Sequence, residues 1–211
     1  MELLIKYWYL VLAIIAVLIL TVFVIIKAAK SVRLSRIEKE NFIKKLEHEK
    51  DLRQSFKVIS NESFNIPEKY RLLEGLAMNV QMQVENQTDT AAAFLALPAE
   101  KQHIYALCVL FDDCRENPLS FFFKANGFPL TPATLEAAER IIGGRFFELF
   151  KYEYSAFDKE NAEVSLITEE ILKTDGEFSA LIKMNIDSIL DSIVHYINQN
   201  KSVFITTNQE G

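Results

Sequence analysis

Residues 98–128 read "PAEKQHIYALCVLFDDCRENPLSFFFKANGF", and the alternation of apolar runs with breakers in this stretch decides the fold. Pro98 suits the opening of a helix, because its missing N–H would be unpaired in a first turn anyway. After it, Ile104, Leu107, Cys108, Leu110 and Phe111 leave little polar surface until Asp112, the pattern of a helix packed on several sides. Asn117-Pro118 then reads as N-cap and first residue of a short helix, "PLSFFFKA". Asn126-Gly127 suits a left-handed stop. The expectation is a central helix followed by a short one in an all-α domain.

Working outward, the same signals recur. "NESFNIP" (61–67) places Pro67 in the first turn of a helix capped by Asn65, with Tyr70, Leu73, Ala77, Val80 and Val84 on one face. Thr131-Pro132 opens "ATLEAAERII", Gly143-Gly144 closes it, and "RFFELFKYEYSAF" (145–157) forms an aromatic helix. Ile182, Ile186, Ile189, Ile193 and Ile197 recur at helical spacing and form the stripe of a closing helix. "SVFITT" (202–207) reads as a short strand or a tail.

The N-terminal fifty residues have a different character. From Tyr7 to Ile26 there are 20 residues without a charge, 14 of them Leu, Ile, Val or Phe. At 1.5 Å per residue such a helix spans about 30 Å, the thickness of a hydrocarbon core. The run is too long for a signal-peptide core, and Lys27-Ala28-Ala29-Lys30 makes a poor cleavage site. Tyr7, Trp8 and Tyr9 would form an aromatic belt; Lys27, Lys30, Arg33 and Arg36 follow the span and orient it, by the positive-inside rule, with the C-terminal part in the cytoplasm. The expected organisation is a short segment 1–6, a transmembrane helix 7–26, a charged helical stalk 27–60, an acidic all-helical domain 61–201 and a tail 202–211. The expected location is a bacterial inner membrane, crossed once.

Charge divides along the same line. Residues 1–50 carry 9 Lys and Arg against 5 Asp and Glu (+4), and residues 51–211 carry 14 against 24 (−10). The larger part should repel nucleic acid directly and favour a basic protein. Glu153, Asp158, Glu160, Glu163, Glu169, Glu170, Asp175 and Glu177 stand against only Lys159 and Lys173, an expected acidic interaction surface.

Catalytic constellations are missing. His103 and Asp112 are nine residues apart on one helix and point to opposite sides, no HExxH spacing exists, and neither a metal nor another cofactor is expected. Cys108 and Cys114 make no CxxC, and read as reduced thiols. Asp112 and Asp113 project about 100° apart and do not share a proton as facing carboxylates do. A hydrolase or transferase using Asp112, Asp113 or Cys114 is the competing reading, and it would need a concave pocket at the end of the central helix.

One resemblance covers about a quarter of the chain. Tyr105-Ala106-Leu107, the acid at Asp112 or Asp113, Asn117, Phe121, Phe122, Asn126 and Gly127, then Leu135-Glu136-Ala137 and Ile142-Gly143, together resemble the bacterial domain family of unknown function named after a double-stranded-DNA mimic protein. Pro118-Leu119-Ser120 stands where that family has Gly-Gly-Phe. The resemblance implies an all-helical fold, no known catalytic residue, and an acidic surface that imitates DNA phosphates toward a DNA-binding protein. The expected function is a membrane-anchored, non-enzymatic protein whose acidic cytoplasmic domain binds a protein partner.

Overall fold

A computed structural model describes residues 39–157 and 162–206. Among them every regular element is helical, so the chain is all-α. The chain forms two compact units, Met1–Lys50 and Asp51–Gly211. In the first, residues 39–50 are helical and leave Phe42, Ile43 and Leu46 exposed. The 7–26 run and its flanking Tyr7, Trp8, Tyr9, Lys27, Lys30, Arg33 and Arg36 lie outside the described residues. Among those described, no helix is long and apolar enough to cross a membrane.

The second unit begins ten residues earlier than the expected stalk boundary at 60. Helix α1 (39–55) ends in it, and Leu52, Phe56 and Ile59 are core residues. Here the sequence looks like a charged stalk because the apolar positions are sparse, yet these three are buried. The Phe56 ring lies so close to α2 (Lys69–Val84) that a methyl group at Gly75 would stand 2.1 Å from its carbons. Only glycine leaves that space, which offsets its low helix propensity. Buried Asn79 donates to the Phe56 carbonyl at 2.8 Å and holds the incoming chain.

Two expected start signals are displaced. Ser60, not Asn65, caps a 3-10 turn over Asn61–Asn65, with Ser60 and Ser63 bonded reciprocally, and Pro67 precedes α2 instead of entering it. A short helix unseen in the sequence, α3 (Thr90–Leu95), starts where Asp89 accepts from the Ala92 N–H.

Helix α4 (Ala99–Cys114) is central as expected: it packs against α2, α5 (Leu119–Ala125) and α6 (Leu130–Ala137), and Ile104, Ala106, Leu107 and Leu110 are wholly buried. Helix α6 runs into a π turn at Ala138–Ile142, and Gly143 and Gly144, with φ of +66° and +53°, reverse the chain as the sequence predicted. Then follow α7 (Gly144–Ala156) and α8 (Glu169–Gln199). The last nine residues of the acidic stretch 158–177 thus open a 31-residue helix.

Of the three consecutive phenylalanines, Phe122 and Phe123 enter the core and Phe121 faces solvent. Phe123 packs at 5.0 Å from Phe150 and 5.3 Å from Phe157, and Phe146 at 4.9 Å from Phe178, joining α5, α7 and α8. Each buried ring contributes about 1.5–3 kcal/mol. Residues 201–206 are neither strand nor free tail, and 207–211 lie outside the described residues. Helix α9 (Lys201–Phe204) buries Phe204, and Thr206 exchanges hydrogen bonds with Ile59.

Candidate functional site

The residues linking α4 to α5 are tied by side chains. Asn126 donates to the Asp113 carboxylate at 2.7 Å and to the Phe122 carbonyl. Asn117, expected as the N-cap of α5, instead donates back to the Asp113 carbonyl at 3.1 Å. Asn126 itself is extended and Gly127 lacks positive φ, so the expected left-handed stop is absent; the Gly127 carbonyl accepts the first N–H groups of α6. Asp112 diverges from Asp113: it accepts from the Tyr70 hydroxyl at 2.8 Å and stands 3.4 Å from Arg115. Arg115 also lies over the Tyr70 ring and 3.8 Å from Glu74. Tyr105 sits elsewhere, against Phe94.

The cap of α5 comes from α8. Asp175 accepts the Ser120 backbone N–H at 2.7 Å and the Ser120 hydroxyl at 2.8 Å. A carboxylate at a helix N-terminus meets both the free N–H groups and the positive end of the helix dipole. Asp175 is only 5% exposed, so this cap belongs to the interior.

Behind it stands a second acid. Glu153, on α7, is 0% exposed, and neither of its oxygens has a hydrogen-bond partner among the described residues. Burial first, and then the neighbouring charge of Asp175, push Glu153 up to about 9. Glu153 is therefore a neutral acid at pH 7. The same environment raises the Cys114 thiol: burial acts first, followed by the neighbouring carboxyl groups of Asp113, Glu153 and Asp175. It stays a thiol at neutral pH and is a poor nucleophile.

Beside this pair, between the end of α4 and the middle of α8, opens a groove of about 620 Å³, within the range of small-molecule and peptide-side-chain sites. Tyr70, Phe111, Ile182 and Ile186 make it apolar; Asp175 and Cys114 also line it, and Arg115 and Lys183 bring positive charge. Ile182 and Ile186 are accordingly only half-buried, whereas Ile189, Ile193 and Ile197 of the same stripe are buried.

The expected acidic surface is corrected at two positions, because Glu153 and Asp175 are core residues. Glu163, Glu169 and Glu170 are exposed, and Glu177 is half-exposed and paired with Arg145. Asp158 and Glu160 lie outside the described residues. His103 is buried, its Nδ1 3.0 Å from the Tyr196 hydroxyl and its Nε2 3.5 Å from Glu136; burial lowers its pKa. Among the described residues no three metal-ligating side chains gather.

The pair was legible from one signal. Phe146, Leu149, Phe150, Glu153 and Phe157 fall at steps of three, one, three and four, which puts Glu153 on the apolar face of its helix. Asp175 likewise falls between Ile171 and Phe178 on one face of α8. Comparisons with protein-family models, with curated proteins and with solved structures each give no match to this chain.

Proposed function

We propose that this chain is a membrane-tethered, non-catalytic module whose helical domain receives a segment of a protein partner in the groove beside Asp175. The observation that carries the reading is the groove itself: an apolar trough of about 620 Å³ next to a buried anion, of a size and character suited to seating side chains. The apolar run 7–26 supports tethering, and the basic residues after it support a cytoplasmic domain in a bacterial inner membrane. The exposed Glu163, Glu169 and Glu170 favour a basic partner. The DNA-mimic version of this reading has less to stand on, since two of its eight carboxylates, Glu153 and Asp175, are buried and do not belong to the outer acidic surface.

The test is a photo-crosslinking amino acid placed in living cells at Lys183, in the groove, and at Met184, exposed beside it. One partner captured from position 183, and lost when Ile186→Glu fills the groove with charge, supports the reading. Equal capture from both positions, insensitive to Ile186→Glu, overturns it.

A hydrolase or transferase reading keeps one favourable observation: the groove lies at the end of α4, and a carboxyl raised to about 9 is near it. Asp112 is held by Tyr70 and Arg115, Asp113 by Asn126, and Cys114 stays protonated. Turnover of any ester or phosphoester that Cys114→Ala abolishes would replace the binding reading with this one.

A further inference from the structure

We propose that the groove is selective for a cation on an apolar stem, a lysine side chain of the protein partner, whose ammonium pairs with Asp175, backed by the buried Glu153, while its methylenes lie along Phe111, Ile182 and Ile186. This rests on the groove being the docking site. It adds what the site recognises.

Three observations lead to it. Asp175 belongs both to the groove lining and to the carboxyl pair, and it is 95% buried. Glu153, wholly buried behind it, has oxygens that no donor of another residue reaches. A buried acid is ordinarily satisfied by a cation or by several N–H groups; here the only donors on the pair come from uncharged Ser120. The nearby guanidinium of Arg115 is engaged with Asp112, Glu74 and the Tyr70 ring. The pair therefore holds acceptor capacity that the fold leaves unused. The walls leading to it are apolar, which matches the four methylenes of lysine.

Binding would be coupled to a proton. An ammonium beside the pair favours the ionised form of Glu153, so a bound cation displaces its proton to solvent and leaves two carboxylates on one ammonium. The groups around Glu153 are Asp175 from α8, Asp113 and Cys114 from α4, and uncharged Ser120 from α5; Arg115, Glu116, Lys183 and the Tyr70 hydroxyl stand in the groove lining. The affinity for a cation should consequently rise with pH, by up to about tenfold per unit, until Glu153 ionises unaided.

The test uses the full chain in mild detergent and three probes of equal length: n-hexylamine, n-hexanol and hexanoate. Calorimetry at pH 6, 7 and 8, in two buffers of different ionisation heat, reads affinity and proton release. The expected result is a preference for hexylamine over hexanol of about tenfold or more, the range of one charge-assisted hydrogen bond. Close to one proton should be released, and affinity should climb with pH. Glu153→Gln, which keeps a neutral donor in place, should bind without proton release or pH dependence; Glu153→Gln with Asp175→Asn should lose the preference for the amine while still binding hexanol. If hexanol binds as well as hexylamine, the groove reading stands and this inference fails. Tighter binding of hexanoate, or no binding of any probe by protein that melts cooperatively, also overturns it.

Discussion

Replacing Glu153 by glutamine should stabilise the protein, by an amount that grows with pH. In the folded chain Glu153 keeps its proton to about 9; its ordinary value is 4.5. The unfolded chain therefore releases a proton that the folded chain retains whenever the pH lies between those values. The sign follows: folding binds a proton, so stability is greatest below 4.5 and is lost as pH rises toward 9. Each unit is worth about 1.36 kcal/mol, so at pH 7, some 2.5 units above the ordinary value, the wild type is destabilised by about 3 kcal/mol relative to a side chain that never ionises. Glutamine is such a side chain, and its amide can still donate to Asp175. For a chain of this size 3 kcal/mol corresponds to roughly 6–12 °C in Tm. Urea unfolding of the full chain, followed by circular dichroism between pH 5 and 9, gives both curves. His103 works in the opposite direction below its ordinary 6.5, because burial lowers its pKa and folding then excludes a proton. The difference between Glu153→Gln and wild type removes that contribution. A difference that widens by about 1.4 kcal/mol per unit supports the buried neutral acid. Parallel curves, or a variant less stable at every pH, would refute it.

Gly75→Ala should destabilise by about 1–3 kcal/mol in spite of the better helix former, because its methyl would meet the Phe56 ring, and Phe56→Leu in the same chain should recover part of the loss in urea titrations. Asp175→Ala leaves the Ser120 N–H and hydroxyl without their acceptor and should cost about 2–4 kcal/mol, whereas Asp175→Asn should cost less than half of that because its amide oxygen still accepts the N–H. Cys114 should react with iodoacetamide at pH 7.5 at least about tenfold more slowly in folded than in urea-unfolded protein, a protection read by mass spectrometry, since burial and three neighbouring carboxyl groups keep it a thiol.

Much of the helical layout was legible because it rests on local chemistry. The apolar run from Ile104 to Phe111 can only be a buried helix, and Gly143-Gly144 supplies the positive φ that the reversal after the π turn needs. What failed were inferences from neighbours in sequence about partners in space. Asn117-Pro118 has the form of a cap, yet the acceptor used by α5 is Asp175, 55 residues from Ser120. The run of acids from 153 to 177 has the composition of a solvated surface, but helical phase, not composition, puts Glu153 and Asp175 inside. Likewise Leu52 and Phe56 are isolated apolar residues in polar surroundings, yet both are core residues, Phe56 against Gly75 of α2. The groove was not legible at all, since it arises where the Ile182 and Ile186 part of a continuous stripe is left only partly covered.

The most direct test of the account is a titration of the Glu153 carboxyl carbon by 13C NMR, assigned by comparison with Glu153→Gln. The account predicts a midpoint near 9. A midpoint near the ordinary 4.5 would contradict it, because Glu153 would then be a solvated carboxylate and neither the buried pair nor the cation-selective groove built on it would exist.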